Sequence, residues 1–504
     1  MNHWGLSGFS HDAALAVVTE YNDILFASHS ERYTGNKHDD QFGQGLIGAA
    51  LSAGQLTACH SGQPSNITWY ENDLLKRARQ LRAGQWDLAF TEPTPLSRLK
   101  LEFPQVFEEA PAWHQHRHHL THAAAGFATS TFNEAAVLVI DAIGEFNSAT
   151  IWKAVSDLHG NCSYKLLEKV NYPHSLGLVY SAFTQRCDLR PLDEEYILMG
   201  MAAYGEPIYA DAIKRDIICI DGNSFRCHDN WHRGIGNWMP DARPADLAAS
   251  IQQVTEEIVL HMATRAVALA GSRNLVYMGG VALNCVANSQ LGQVADDIWI
   301  MPNPGDAGSS IGAVAATKGC KLNWQGPYLG HDIGRPYPVE QLVESLLANP
   351  IAAVAAGRAE FGPRALGNRS LVADPRGNEI KDKVNEIKRR QKFRPFAPMI
   401  LEERVHDYFE MPININTSPY MQFVARCKHP TYFPAIIHAD GTSRVQTVNE
   451  QQHPGLYQAL KLWEDKTGCP IMLNTSLNIR GKPMVNTIEH AYEFRDTYGI
   501  NLVV

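Results

Sequence analysis

Apolar and polar positions alternate over short stretches from the start of the chain. Residues 4–7 form an apolar run that leads into Gly8-Phe9-Ser10-His11-Asp12, and 13–18 forms a second run. Tyr21-Asn22-Asp23 is a turn signal, and 24–28 is a third run, so the pattern predicts three short strands joined by tight turns. The layout returns at 135–140, 148–155 and 164–170, with Asp141-Ala142-Ile143-Gly144 as the first turn. A hairpin unit repeated with an acidic residue at its first turn predicts two related halves. Between them, 45–53 and 71–82 predict helices, the second with a basic face of Lys76, Arg77, Arg79 and Arg82. Leu247, Ile251, Val254, Ile258, Met262 and Val267 recur at helical spacing and predict a long amphipathic helix over 244–270, ended by Gly271-Ser272. Two strand–turn–helix units follow, 274–278 into Gly279-Gly280 and 298–301 into the 302–308 turn. Small residues at such turns let backbone N–H groups approach a nucleotide phosphate.

The repeated hairpin resembles the actin, hexokinase and Hsp70 type of ATP-binding fold. A Gly-, Pro- and His-containing linker at 326–338 then separates 1–330, read as the first domain, from 338–504, read as the second. A length of 504 residues suits two or three domains. With 45% hydrophobic and 19% charged residues, the chain is not globally disordered. Its apolar runs fall short of the roughly 20 residues a membrane-spanning helix needs, so no membrane partner is expected. The N-terminus lacks the basic region of a secretory signal. Nine cysteines without a C-x-x-C pair fit a reducing compartment, and a cytoplasmic location is expected. A net charge of −9 gives no broad attraction to nucleic acid, which leaves only a local basic groove. The face from Lys76 to Arg82 is the candidate stripe, a solvated helix face being the alternative.

His118 and His122 are four residues apart, one face of a helix, which is a spacing that two ligands of one divalent metal can use. Five histidines crowd into 114–122, and a plain surface cluster is the alternative. Asp141 at a turn and Asp306 in the glycine loop could add oxygen ligands; two histidines with two carboxylates suit iron, zinc or manganese. His11-Asp12 lies at the first hairpin turn, where an imidazole could accept a proton from an attacking hydroxyl or simply cap the turn.

The last third places arginines in turns: 360–370 with Arg364 and Arg369, Asp374-Pro375-Arg376, Lys388-Arg389-Arg390, Phe393-Arg394-Pro395-Phe396, His438 through Arg444 to Gln446, and Asn474-Thr475-Ser476-Leu477-Asn478. Guanidinium forks beside glycine and proline are suited to a small, multiply charged anion.

Together with Glu31-Arg32, Lys37-His38-Asp39, 173–177 and 279–284, these segments resemble the O-carbamoyltransferases of the nodulation-protein and antibiotic-tailoring type. The resemblance covers nearly the whole chain. It implies an α/β protein with a two-lobed, actin/Hsp70-like (Kae1-like) ATP-binding domain followed by a YrdC-like α/β domain. The implied carbamoyl-phosphate site is Arg364, Lys388, Arg394, His438, Arg444, Asn474 and Ser476. ATP, with magnesium, would meet Lys37, Gly279, Gly280, Asn284, Gly305 and Asp306. The divalent metal, iron first, would be held by His118, His122, Asp141 and Asp306, and His11 and Asp12 would be catalytic. An O-carbamoyladenylate would form, and an acceptor hydroxyl would attack it with AMP leaving.

The implied acceptor is a sugar or small molecule. The alternative is a hydroxymethyl-pyrimidine of the 5-hydroxymethylcytosine type in DNA, a primary alcohol of similar reactivity. A homodimer is compatible with either. Ile197 stands where the family usually has a lysine, so acceptor recognition is expected to differ; the tail at Val504 is also shorter than in many relatives. Two other readings remain: an actin-like nucleotide-dependent regulator, which leaves the arginine-rich part unexplained, and threonylcarbamoyl transfer to tRNA.

Overall fold

The computed structural model describes residues 2–56, 62–82, 84–107, 112–392 and 394–504; Phe393 of the arginine motif lies outside them. The chain divides into two compact units. The first comprises 1–30, 38–287 and 293–324, and the second 31–37, 288–292 and 325–504.

The first unit holds two five-stranded sheets. One is built from β1 (Asn2–Ser7), β2 (Ala14–Thr19), β3 (Ile24–His29), β4 (Pro64–Trp69) and β5 (Ala112–Gln115), in the order β3-β2-β1-β4-β5. The other begins with β6 (Glu134–Ile140), β7 (Asn147–Ser156) and β8 (Cys162–Asn171). After a small hairpin of β9 (Ile218–Asp221) and β10 (Ser224–Cys227), it is completed by β11 (Asn274–Met278) and β12 (Asp297–Trp299), in the order β12-β11-β6-β7-β8. In each sheet the first three strands pair antiparallel and the last two add on parallel. One topology thus occurs twice, and the repeated hairpin in the sequence is the front end of each copy. A duplicated sheet of this order is the two-lobed, actin/Hsp70-like architecture.

In each copy a helix follows the last strand: His118–Thr129 after β5 and Ser309–Lys318 after β12. The two helices pack on each other, and each lies against the other copy's sheet, His118–Thr129 on β6 and β11 and Ser309–Lys318 on β1, β2 and β4. Glycine allows this approach. A Cβ on Gly5 of β1 would stand 1.8 Å from the Ser310 carbonyl oxygen, and one on Gly312 would stand 1.8 Å from that of Thr121. Helix backbone therefore touches strand and helix backbone directly, which fixes where both helix N-termini sit.

The predicted strands and helices of this unit are present, including the full 27-residue helix Pro244–Ala270, closed by Gly271 in the left-handed conformation. One expectation fails. The helix expected after Gly279-Gly280 is only a 3-10 turn, Gly280–Leu283, and a four-residue helix, Cys285–Asn288. Gly279 at φ 95 and the side chain of Asn284, which bonds the Ala287 N–H, break that segment into short turns.

The second unit is built on a six-stranded sheet containing β13 (Ile351–Ala355), β14 (Arg369–Ala373) and β15 (Ala397–Leu401). A separate three-stranded sheet contains β16 (Phe409–Glu410), β17 (Val424–Cys427) and β18 (Thr442–Arg444). The larger sheet is completed by β19 (Gln446–Val448), β20 (Ile471–Ser476) and β21 (Leu502–Val503), in the order β19-β15-β20-β14-β13-β21. Its residues alternate strictly between two cores. Ile351, Ala353, Leu371, Ile400 and Leu473 face the side of Phe396 and Phe433, whereas Ala352, Val354, Val372, Met399 and Met472 face Leu342, Leu460 and Trp463. The unit is an α/β layer structure with both sheet faces covered.

Candidate active site

Four elements of the duplicated unit bring side chains to one point. His118 opens its helix and His122 lies one turn along; Asp141 directly follows β6, and Asp306 precedes the helix Ser309–Lys318. His118 Nε2 is 3.1 Å from Asp141 Oδ2 and 3.4 Å from Asp306 Oδ1. His122 Nε2 is 3.7 Å and 3.3 Å from the same oxygens, and 3.0 Å from His118 Nε2. All four donors lie within 4.8 Å of one another. A first-row ion with ligands at about 2.1 Å places neighbouring donors roughly 3.0–3.4 Å apart; four of the five distances fall in that range, and His122 to Asp141 at 3.7 Å lies just outside it. His122 Nδ1 donates to the Pro304 carbonyl at 3.1 Å, which leaves the Nε2 lone pair aimed inward. The donor set therefore fits a divalent metal.

The electrostatics agree. Burial alone would lower the His118 pKa, but Asp306 and Asp141 outweigh it and hold it well above the usual imidazole value. Burial would likewise raise Asp141, and the two histidines hold it well below the carboxylate range. His119, between the two ligands in sequence, is different: burial lowers its pKa to about 3, and its Nδ1 meets Thr150 Oγ1 at 2.9 Å, a packed neutral ring. His116 meets Thr317 Oγ1 at 2.9 Å. The histidine run thus mixes site and scaffold, which spacing alone does not separate.

At the equivalent turn of the first copy, Asp12 lies between two rings. His11 Nδ1 is 2.9 Å from Asp12 Oδ2, and His38 Nδ1 is 2.9 Å from Asp12 Oδ1. His38 Nε2 continues to Asp193 Oδ1 at 2.9 Å, and Arg190 holds the other Asp193 oxygen at 2.6 Å. Burial lowers the His11 pKa, but bonding and charge from Asp12 outweigh it and push it up to about 10. Its Nε2 lies 3.1 Å from the Leu192 carbonyl, so both ring nitrogens donate and the ring is a cation. A proton-accepting role requires Nε2 to lose its proton and to exchange Leu192 for another partner.

The glycine turns close around Asp141. Gly280 N–H donates to Asp141 Oδ1 at 3.0 Å, and Gly279 N–H to the Pro304 carbonyl at 2.9 Å. A Cβ on Gly279 would stand 2.2 Å from the Ile140 carbonyl oxygen, whereas one on Gly305 would meet nothing within 4 Å. Asn284 exchanges amide hydrogen bonds with Gln252 at 2.9 and 3.1 Å, so its side chain is already engaged. Lys37 belongs to the 31–37 segment of the second unit. Ile197 is buried within the helix Glu195–Ala202.

In the second unit, sheet topology gathers the anion candidates. β14 and β20 pair antiparallel, as do β15 and β20, while β15 and β19 run parallel. The starts of β14, β15 and β19 and the end of β20 therefore share one edge, where Arg394, Arg444 and Ser476 sit with the Arg364 loop. Asn474 Nδ2 binds the Ala365 carbonyl at 3.0 Å and Gln446 Oε1 at 2.7 Å. Lys388 is buried and donates to Ser476 Oγ at 3.2 Å and to the Asn478 carbonyl and Oδ1 at 2.9 Å. Burial, then Arg390 and Arg394, hold its pKa well below the lysine value. His438 is lowered to about 4 by burial, with Arg444 and Lys381 adding to it against Asp440.

Arg369 is scaffold. Fully buried, it donates to the carbonyls of Ala356 at 2.7 Å, Asn368 at 3.0 Å, His331 at 3.0 Å, Asn486 at 3.1 Å and Gly357 at 3.2 Å.

Two of the four cations of the stripe expected on the helix Asp73–Arg82 are tied down. Lys76 pairs with Glu71 at 2.6 Å, and Arg77 pairs with Asp73 at 2.9 Å and also donates to the carbonyls of Ala89 and Glu92 at 2.8 Å. Sequence reasoning also missed Glu145. It is buried and its Oε1 accepts from the N–H groups of His118 at 2.9 Å and Asn72 at 2.8 Å. Its position in the second acidic turn was the available signal. Asp193 was missed as well, and nothing local marks it.

The sequence matches two family descriptions, "Carbamoyltransferase N-terminus" over 106–315 and "Carbamoyltransferase C-terminus" over 343–504. It is 33% identical over 530 residues to the nodulation protein NolNO of Sinorhizobium fredii, covering 96% of this chain and 76% of that one. The nodulation protein NolO of Bradyrhizobium diazoefficiens is 33% identical over 418 residues, covering 74% of this chain and 75% of that one. An uncharacterized protein of Synechocystis is 33% identical over 591 residues, 97% of this chain and 93% of its own.

Proposed function

The chain belongs to the carbamoyltransferase family and is a carbamoyltransferase, and from that premise we propose that it uses ATP and carbamoyl phosphate to carbamoylate an acceptor hydroxyl through O-carbamoyladenylate. In balance, one water cleaves carbamoyl phosphate to carbamate and phosphate. A carbamate oxygen then attacks the α-phosphorus of ATP and pyrophosphate leaves. The acceptor oxygen attacks the carbamoyl carbon, AMP departs, and the hydroxyl proton passes to a base. The convergence of His118, His122, Asp141 and Asp306 at the helix N-termini and glycine turns of a duplicated sheet is the observation that carries this reading. A divalent ion held by these four residues would supply positive charge to offset that of the adenylate phosphate as AMP leaves.

The chain's own groups account for the rest. The turn at Gly305, where a Cβ would meet nothing within 4 Å, offers backbone room for phosphate oxygens. Asp12 orients His11, whose Nε2, once it has given up its own proton, can take one from an acceptor hydroxyl standing in place of the Leu192 carbonyl. In the second unit, Arg364, Arg394 and Arg444 would bind the phosphate of carbamoyl phosphate, with His438 and Asn474 on the carbamoyl end. Lys388 holds the Ser476–Asn478 turn in shape, a positioning role for which its buried hydrogen bonds are suited.

The test is pyrophosphate release by the full chain given ATP, carbamoyl phosphate, or both. Release only with both is expected. Arg364→Ala should abolish it while leaving transfer from supplied carbamoyladenylate. ATP turnover indifferent to carbamoyl phosphate would remove the reading in favour of a nucleotide-dependent regulator.

A further inference from the structure

A cavity of about 350 Å³ opens in the first unit, lined among others by Arg82, Arg117, Lys169, Glu145, Phe146 and Tyr172. A neighbouring cavity of about 490 Å³ shares Arg82, Lys169 and Tyr172 and adds Arg226. Among the described residues, the side chains of Arg82, Arg117 and Lys169 make no ion pair or hydrogen bond, whereas Lys76 and Arg77 on the helix that carries Arg82 are tied down. Arg226 has only a loose, exposed partner, Asp221 at 4.0 Å. Two carboxylates face the same space. Glu145 is occupied by two backbone N–H groups, and Asp221 stands at the far end with Arg226.

Unpaired cations converging on one concavity, in a chain of net charge −9, repel one another and mark a place where an anion is expected. The walls add a second feature. Phe146 and Tyr172 are half-buried rings, and the Tyr172 hydroxyl is held by Asn230 Nδ2 at 2.6 Å, which fixes a flat face beside the cations. Cations for phosphate and a fixed ring for a planar group together describe a nucleotide. The location suits an acceptor. Glu145 lines the cavity and also accepts the His118 N–H, so the inner wall is one hydrogen bond from the proposed metal centre.

We infer that the acceptor bears phosphate and a planar base: it is a nucleotide, free or within a strand, whose hydroxyl is presented to the transfer site through this cleft. The inference rests on the transfer reaction proposed above and narrows its acceptor. The continuation of the cleft towards Arg226 provides for a second phosphate, as a strand would need.

The experiment compares four acceptors under ATP and carbamoyl phosphate: a neutral sugar, 5-hydroxymethyldeoxycytidine, its 5′-monophosphate, and a single-stranded oligonucleotide carrying that base. The phosphate-bearing acceptors should exceed the neutral nucleoside by at least about tenfold in kcat/KM. Arg82→Glu with Lys169→Glu should erase that advantage through KM. A preference for the monophosphate identifies a free nucleotide as the source, and a preference for the oligonucleotide a strand. Equal use of neutral and phosphorylated acceptors, or an unaffected double variant, overturns the inference. Oligonucleotide binding at several salt concentrations gives a readout independent of turnover. Affinity should fall with salt in the wild type, with a slope shallower by about one to two in the double variant. Binding that meets this expectation without any pyrophosphate release would keep the cleft and remove the proposed reaction. Absent or salt-independent binding would remove the cleft.

Discussion

The turn between β1 and β2 and the turn between β6 and β7 occupy equivalent places in two sheets of the same order, yet their carboxylates keep different company. Asp12 is shared by the rings of His11 and His38, and the relay runs on to Asp193 and Arg190, so each carboxylate of the group lies between two nitrogen donors. Asp141 faces two imidazole nitrogens and a second carboxylate, Asp306, nearly out of reach of water. The buried Asp141 and the half-buried Asp306 need two positive charges, either protons on His118 and His122 or one divalent ion. A duplicated scaffold delivers two carboxylates and two imidazoles to equivalent points twice. The partial exposure and the Arg190 guanidinium of the first suit it to moving a proton, and the burial of the second suits it to holding a cation.

The strongest way to break that contrast is Asp141→Ala. It should strip bound metal, read by elemental analysis of the full chain, and lower carbamoyl transfer by more than about a hundredfold, the upper range for groups that only support a ligand. Metal uptake in the unaltered chain should strengthen with rising pH as His118 and His122 lose their protons. A variant that keeps both metal and turnover would leave the second turn no different in kind from the first.

Asp12→Asn tests the other turn and should act more mildly, by about a hundredfold or less, with metal content unchanged. Its distinguishing sign is in pH dependence. His11 is raised to about 10 in the folded chain, above its ordinary value of about 6.5. Its contribution to stability is therefore fully present below about pH 6.5 and is lost as pH rises through about 10. Removing the Asp12 charge should lower the His11 pKa and flatten the decline in melting temperature on that alkaline side. An unchanged alkaline decline would mean that Asp12 does not hold the proton on His11.

The two turns also differ in how far the sequence revealed them. Periodicity located the three strands at the front of each copy, and Asp141 stood out because it directly follows a wholly apolar run. His118 and His122 stood out by their four-residue spacing. The relay from Asp12 was only half legible: His38 lies 26 residues on and Asp193 a further 155, joined by folding alone. The same limit applies to arginines. Arg364 and Arg369 look alike in a glycine-rich turn, but Arg369 is enclosed by backbone carbonyls because it opens β14 inside a covered sheet. Burial of a cation among carbonyls leaves no trace in residue type. The basic helix misled for a related reason. Lys76 and Arg77 face acidic and carbonyl partners supplied partly by later turns, and only the tertiary structure shows that Arg82 is the member left facing a cavity.

Arg77 therefore gives the smallest effect and a clean control on the cleft. Its guanidinium joins the helix Asp73–Arg82 to the following helix Trp86–Thr91 through Asp73, Ala89 and Glu92. The pair is largely screened from solvent but not deeply buried. Arg77→Ala should lower stability by about 1 kcal/mol, the range of a partly exposed ion pair with added backbone hydrogen bonds. Denaturant unfolding should show a shifted midpoint with an unchanged slope. Use of a phosphate-bearing acceptor should not change, because Arg77 is turned to its own helix pair while Arg82, five residues on, lines the cavity. If Arg77→Ala reduced acceptor use as deeply as charge reversal at Arg82, the helix would be acting as one basic face, and its division into a structural cation and a cleft cation would fail.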